Sequence, residues 1–165
     1  MIDRTLVLLK PDAVQRCLAG EIIQRFERAG LKIVGMKMVW ANKEHAMKHY
    51  TEDIAKRRGE WVREKLLKFI TEGPIIALAL EGVNSVEVVR KIVGTTEPKS
   101  ALPGTIRGDF AHHSLEYCDE KKEAARNLIH ASGNNEEAKS ELNIWFTEKE
   151  LHSYKTVHDY HVMFA

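Results

Sequence analysis

The chain has 165 residues, 44% of them hydrophobic, and its 25 Lys and Arg against 24 Asp and Glu leave a net charge of +1. This length fits one domain, residues 1–165, that can bury a sizeable core. The balanced charge argues against a nucleic-acid binder, and no apolar run is long enough for a membrane span.

Strands are predicted where short apolar runs stop at turn residues: Thr5–Leu9, Leu31–Trp40 and Pro74–Glu81. Helices are predicted where apolar residues recur at helical spacing: Gly20–Ala29, Asn42–Thr51, Glu60–Thr71 and Asn84–Val93. Asn42 and Asn84 are the expected N-caps, and Gly30 and Gly94 the expected stops.

After Gly94 the chain becomes polar and is broken by prolines and glycines over Thr95–Asp109. A long irregular segment of this kind is usually functional or disordered. Lys121–Ile129 and Asn135–Trp145 are again predicted as helices. The order β-α-β-α-α-β-α predicts an α+β fold, with a ferredoxin-like split βαβ antiparallel sheet covered by helices.

Two regions could carry phosphate chemistry. Lys10 lies at the end of a buried strand, and Arg90 precedes a loop that holds Thr96, Lys99, Thr105 and Arg107. Arginine forks and hydroxyls suit phosphate oxygens, although a solvated loop fits the composition equally. The stretch from Gly94 to Ser100 is not a P-loop, because Pro98 replaces the glycine before the lysine.

The chain contains eight histidines. Seven are expected to be surface or structural, including the helical pair at i and i+4: His45, His49, His112, His113, His152, His158 and His161. His130 differs because Ser132 follows it closely and Glu141 falls on the next predicted helix. A histidine held by a carboxylate suits nucleophilic catalysis, but these local features alone do not select His130 over the others.

Cys17 and Cys118 are isolated, and no signal peptide is evident at Met1–Arg4. We therefore expect free thiols in a reducing, cytoplasmic compartment.

Several motifs occur in order between about residues 4 and 160. They read TLVLLKPDAVQR (5–16), GEIIQRFE (20–27), HY (49–50), EGVN (81–84), PGTIRGDF (103–110), NLIHAS (127–132) and WF (145–146). Together they resemble the nucleoside diphosphate kinase family, and the combination of PGTIRGDF with NxIHxS is specific.

The resemblance implies a ping-pong phosphotransferase. A nucleoside triphosphate, mainly ATP, would give its γ-phosphoryl group to His130, and a nucleoside diphosphate of any base would then collect it. A neutral imidazole suits this role, since its ordinary pKa lies near 6.5. The resemblance also implies Mg²⁺ as cofactor, carried mainly by the nucleotide rather than by protein ligands. It further implies a homo-oligomer, expected to be a hexamer, with a tetramer possible.

The resemblance assigns roles to matching residues. Lys10 would contact the transferring phosphate and Tyr50 would hydrogen-bond near the nucleophile. Ser132 and Glu141 would support His130. The remaining nucleotide contacts would come from Arg90, Thr96, Arg107 and Asn127.

Four features depart from the family pattern. Gly133 stands where an aspartate is usual, and Ala13 replaces a glycine. The aromatic base-stacking motif is absent from residues 53–64, where Trp61 is the candidate replacement. Residues 111–126 form a longer segment than usual.

Two other functions compete with the enzyme hypothesis. A catalytically silent relative could bind nucleotides or proteins, but the intact site set argues against it. An unrelated ferredoxin-like nucleic-acid binder is disfavoured because no RNP-type aromatic pattern occurs.

Overall fold

The structure is a computed structural model that describes residues 1–164. Four strands form one antiparallel sheet in the spatial order β2-β3-β1-β4. They are β1 (Ile2–Leu9), β2 (Lys32–Val39), β3 (Ile75–Val83) and β4 (Ile129–Ala131). This confirms the predicted α+β, ferredoxin-like sheet.

Nine α-helices are present in residues 1–164. They are α1 (Pro11–Gln15), α2 (Ala19–Arg28), α3 (Lys43–His49), α4 (Glu52–Arg58), α5 (Glu60–Ile70), α6 (Ser85–Val93), α7 (Ile106–Phe110), α8 (Leu115–Lys121) and α9 (Asn135–Trp145). Short 3-10 turns occupy Pro98–Ser100 and Glu148–Glu150, and a π-helical turn occupies Asp159–Met163. None of the described helices is long and apolar enough to cross a membrane.

The side chains of β1 alternate between two layers of the core. Leu6 and Leu8 belong to the cluster under α3, α5 and α9, whereas Val7 and Leu9 belong to the cluster under α2 and α6. Successive side chains of a strand point to opposite faces, so a fully buried β1 needs apolar residues on both. This explains why the first strand reads as a continuous apolar run.

The predicted helix Lys121–Ile129 is wrong. The helix in this region is α8, which starts earlier and ends where Lys122 adopts a left-handed backbone with φ 49°. Ile129 instead pairs with Leu9 in the sheet, and Leu128 before it is also left-handed, with φ 70°. Pairing with β1 buries these apolar residues, so tertiary contacts override the helical pattern.

Two smaller expectations also need correction. Asn84 makes no side-chain cap; its backbone is left-handed, and the Ser85 N–H donates to Asp3 Oδ1 at 2.6 Å instead. The segment Thr95–Asp109 is not wholly irregular, because α7 begins inside it with Thr105 as its N-cap. Asn42 does cap α3, by accepting from the His45 N–H at 2.8 Å.

The chain after α9 packs back along the edge strand β2. The His152 N–H donates to the Val34 carbonyl at 2.7 Å. Further along, Asp159 forms a buried ion pair with Lys32 at 2.9 Å. The C-terminal segment is therefore tied to the sheet by specific polar contacts.

Candidate active site

The candidate site lies beside the paired strands β1 and β4. His130 is opposite Leu8 in this pairing, and Lys10 follows the last residue of β1. Both side chains line a cavity together with Tyr50. The sheet thus brings together residues that are about 120 positions apart in sequence.

Glu141 holds His130 from the α9 side. Its Oε1 lies 2.9 Å from His130 Nε2, and its Oε2 accepts from the Ser132 hydroxyl at 2.6 Å. Ser132 is fully buried and also accepts from the Leu6 N–H. With Nε2 facing the carboxylate, Nδ1 is the ring nitrogen available to the cavity.

His49, predicted as a surface or structural histidine, is buried directly beside His130. Its ring stands edge-on to His130, with centroids 4.5 Å apart and planes 89° apart. Its Nδ1 accepts from Trp145 Nε1 at 3.3 Å, and burial, followed by nearby His130 and Lys10, lowers the pKa of His49 well below its usual value. A neutral His49 therefore packs against the candidate nucleophile. Its position next to Tyr50 within a matched motif was the signal that could have identified it.

His49, His130 and Glu141 offer donor atoms that all lie within 4.8 Å of one another. Such a triangle could in principle hold a metal ion. The Trp145 indole already occupies His49 Nδ1, however, and Ser132 engages Glu141. These two hydrogen bonds hold His49 and Glu141 in place beside His130, and they account for the arrangement without a metal ion.

Lys10 forms the cationic floor of the cavity. It is 6% exposed, and its Nζ donates to Asn127 Oδ1 at 2.7 Å. Burial, followed by the charge of Arg107, lowers the pKa of Lys10 to about 8. A desolvated ammonium at this point is suited to an anionic ligand, which would restore its charge partner.

Asn127 links Lys10 to the predicted phosphate loop. Its Nδ2 donates to the Thr96 carbonyl at 2.7 Å, and its own carbonyl accepts from Arg107 Nε at 3.3 Å. Thr96, Asn127, Arg107 and Arg90 all line the cavity. The long loop therefore reaches the Lys10 side chain through Asn127.

Arg107 also has a structural function. Its Nη1 and Nη2 donate to the carbonyls of Gly94 and Ile129 at 3.0 and 2.6 Å. Burial, followed by the charge of Arg90, lowers the pKa of Arg107 to about 10, so it stays protonated at neutral pH. Three of its five N–H groups are committed to the backbone, which fixes the direction of the other two.

Tyr50 ends α3 and is almost completely buried. Burial, with the negative charges of Glu141 and Asp12, raises the pKa of Tyr50. A neutral phenol keeps its O–H and can donate a hydrogen bond to an anion in the cavity.

The carboxylates that line the cavity, within residues 1–164, are Asp119 and Glu123 on its outer wall. The floor consists of cations and neutral groups. Mg²⁺ prefers carboxylate and phosphate oxygens, so a Mg²⁺ ion at the floor would be held by the phosphates of a nucleotide. The residues present thus fit a metal that is carried by the substrate.

A sequence profile described as nucleoside diphosphate kinase matches residues 3–151. The chain belongs to the nucleoside diphosphate kinase family. It is a kinase of the phosphotransferase class, and its function is the transfer of phosphoryl groups between nucleotides.

Relatives of this kinase span nearly the whole chain. The nucleoside diphosphate kinase of Borreliella burgdorferi is 48% identical over 156 residues, covering 94% of this chain and 93% of that protein. The Pyrococcus furiosus enzyme is 48% identical over 153 residues, covering 93% of this chain and 88% of that protein.

Solved structures of the family share the fold. One is a transition-state mimic of the Borrelia burgdorferi enzyme with bound vanadate and ADP, at a TM-score of 0.96 and 45% identity, covering 99% of this chain and 98% of that one. Another is the Halobacterium salinarum kinase in complex with CDP, at a TM-score of 0.84 and 35% identity, covering 98% and 99%.

The departures of this kinase from the family pattern lie around the site. Trp61, on α5, lines the outer cavity and is 36% exposed, so an aromatic face is available there. Residues of the segment 111–126 line the same cavity, and an ion pair between Lys65 and Glu123 at 2.9 Å joins this segment to α5.

The two glycine-related departures are mild. Ala13 lies inside α1, where its backbone is helical and needs no glycine. Gly133 precedes α9, and its N–H donates to Glu137 Oε2 at 3.0 Å. The carboxylate of Glu137 thus hydrogen-bonds to the backbone at the position where the family usually has an aspartate.

Proposed function

We propose that this kinase transfers the γ-phosphoryl group of a nucleoside triphosphate, mainly ATP, to nucleoside diphosphates through a phosphohistidine on His130. The observation that carries the proposal is the pairing of His130 Nε2 with Glu141 at 2.9 Å above a cationic cavity floor. This pairing leaves Nδ1 as the nucleophile.

In the first half-reaction the Nδ1 lone pair attacks the γ-phosphorus, the bond to the β-phosphate oxygen breaks, and the diphosphate leaves. In the second, a terminal oxygen of another diphosphate attacks the same phosphorus and the N–P bond breaks. The Glu141 carboxylate, 2.9 Å from Nε2, would stabilise the positive charge that develops on the ring.

The cavity residues supply position and charge. Lys10 and Tyr50 would contact the transferring group, while Arg90, Thr96 and Arg107 would hold the other phosphates and Asn127 the sugar side. Mg²⁺, if carried by the nucleotide, would supply charge neutralisation at its phosphates. His49 holds the plane of the His130 ring, which favours in-line attack.

Broad base use is supported by the outer cavity. Trp61 offers a face for stacking, and stacking tolerates any base because every base has a π-face. We therefore propose that all common nucleoside diphosphates are accepted, with Trp61 as the stacking residue.

A homo-oligomer, a hexamer or a tetramer, is proposed from the edge of the sheet. Met36, Met38 and Trp40 recur at alternate positions along and just beyond the edge strand β2, and each is more than half exposed. An apolar edge of this kind favours association with another copy. Sedimentation of the full chain would count the subunits, and a monomer would contradict this part.

The predicted reducing, cytoplasmic compartment is supported by Cys17 and Cys118, which are both free thiols. Residues 1–165 are proposed to act as one domain, since the sheet and both core layers draw on segments from the whole described chain.

Steady-state kinetics test the ping-pong scheme. Initial rates measured against ATP, at several fixed concentrations of a second diphosphate, should give parallel double-reciprocal lines. Intersecting lines would mean that both nucleotides bind together, which would rule out a free phosphoenzyme.

A further inference from the structure

The longer segment 111–126 places a carboxylate at the outer end of the nucleotide cavity. Asp119 lies on α8 and lines the same cavity as His130. Trp61, which lines the same cavity, belongs to a different helix, α5. The phosphate-binding groups are at the other end, around Lys10.

Asp119 differs from its neighbour Glu123 in having no partner. Glu123 is neutralised by Lys65 at 2.9 Å. Within residues 1–164 the Asp119 carboxylate makes neither a hydrogen bond nor an ion pair. An exposed carboxylate without a partner in this cavity is free to accept hydrogen bonds from a bound ligand that offers donors.

The chemistry of a nucleotide limits where such a donor can come from. Phosphates carry only acceptors when ionised, and they would lie on the floor beside Lys10. A base held against Trp61 presents its edge to the outer cavity, and bases are read through hydrogen bonds to that edge. Guanine offers two adjacent donors, N1–H and the 2-amino group, which match the two oxygens of a carboxylate.

The other bases match less well. Adenine and cytosine each offer a single amino group beside ring acceptors, and uracil offers one N–H between two carbonyls. A carboxylate is therefore expected to bind guanine most strongly and uracil most weakly. Because Asp119 is exposed, water competes, so the ranking is graded and does not exclude any base.

We propose that Asp119 is a specificity-determining residue that accepts hydrogen bonds from the guanine edge and favours guanine nucleotides in this kinase. The inference rests on the proposed phosphotransfer between nucleotides. It assigns the longer segment a role in selecting the base, which the family pattern does not supply.

The sharpest test compares GDP with inosine diphosphate, which lacks only the 2-amino group. The wild-type kinase should use GDP with a kcat/KM about fivefold higher than that for inosine diphosphate, and Asp119→Asn should bring the two within about twofold. Glu120→Gln is the matched control, since Glu120 is an exposed residue of α8 that does not line the cavity. It should keep the wild-type ratio.

The outcomes separate the two proposals. Equal use of both diphosphates by the wild type, or an unchanged ratio in Asp119→Asn, would overturn the role of Asp119 while phosphotransfer itself stands. If the wild-type protein phosphorylated no diphosphate at all, the proposed function would fail and the inference with it.

Discussion

Lys10 is a buried ammonium whose charge serves ligand binding at a cost to folding. Lowering its pKa from 10.5 to about 8 corresponds to a penalty of about 3 kcal/mol at neutral pH. Between these two values the unfolded chain binds more protons than the folded chain, so the free energy of unfolding rises with pH. Below about pH 8 the penalty is fully present.

Two effects are expected from Lys10. Because kcat/KM reports the free enzyme, it should fall as pH rises through about 8, where Lys10 loses its charge. Lys10→Met should abolish most activity yet stabilise the fold by about 1–3 kcal/mol at pH 7. Activity against pH and urea unfolding would measure both.

Lys91→Met is the control for Lys10, because Lys91 is exposed on α6 outside the cavity. It should alter neither the pH profile nor the stability. A flat kcat/KM between pH 7 and 9, or a less stable Lys10→Met, would contradict the account of Lys10.

At the scale of single elements, the start of α9 positions Glu141. Asn134 caps the helix by accepting from the Glu137 N–H at 2.8 Å, and Glu137 reaches back to the Gly133 N–H at 3.0 Å. A Cβ added at Gly133 would lie 2.7 Å from Glu137 Oε2, so this side chain would have to move. Gly133 and Glu137 thus form one capping unit.

This unit predicts the effect of restoring the usual aspartate. Gly133→Asp should displace Glu137 and destabilise the protein by about 1 kcal/mol, the typical value of a cap. Gly133→Asp added to a Glu137→Ala background should lower the free energy of unfolding by less, because the contact between Gly133 and Glu137 is already lost there. Activity should stay within about threefold in either background. The capping unit would be contradicted if the Gly133→Asp variant were more stable than the wild type. It would also be contradicted if the substitution lowered the free energy of unfolding equally in both backgrounds.

The elements also show how far sequence could predict this fold. Periodicity predicted α9 at the observed bounds and β2 and β3 closely, since each has a strong local apolar pattern. It predicted only Thr5–Leu9 of β1, because the first residues of that strand, Ile2–Arg4, are mostly polar. It missed β4, the strand that carries His130, because a three-residue strand has no period and exists only by pairing with β1.

The sequence could propose candidate members of the site but not their geometry. Motifs marked Lys10 and His130, whereas the contact of His49 with His130 depends on how α3 packs against the sheet. The partnerless carboxylate of Asp119 was equally invisible, because residues 111–126 have no pattern that orients α8.

Across the whole molecule, a buried charge network ties the C-terminal segment to β2. Asp159 accepts from Lys32 and from the Thr156 hydroxyl at 2.9 and 2.7 Å. Burial opposes the charge on Lys32, but hydrogen bonds to Glu81 and Asp159 outweigh it and raise the pKa of Lys32. Hydrogen bonds from Thr156 and Lys32 lower the pKa of Asp159.

Asp159→Asn should therefore lower the urea midpoint clearly at pH 7. A carboxylate with a lowered pKa stabilises the fold above its ordinary value near 3.9 and loses that effect as pH falls below it. The difference in urea midpoint between the wild type and Asp159→Asn should be smaller at pH 3 than at pH 7. The exposed ion pair of Asp53 with Arg57 provides the control, and Asp53→Asn should change little. A larger difference in urea midpoint at pH 3 than at pH 7 would contradict the role of Asp159.

The central claim is that His130 carries the phosphoryl group, and isolation of the phosphoenzyme tests it most directly. The full chain is incubated with γ-labelled ATP and Mg²⁺ without an acceptor and is then quenched in alkali. We expect about one label per chain, stable in alkali and lost in acid. In a portion that is not quenched, the label should move to added GDP. Label should be absent from His130→Ala and present in His152→Ala, where an exposed histidine is removed. Equal labelling of His130→Ala, or no label on the wild type, would contradict the claim.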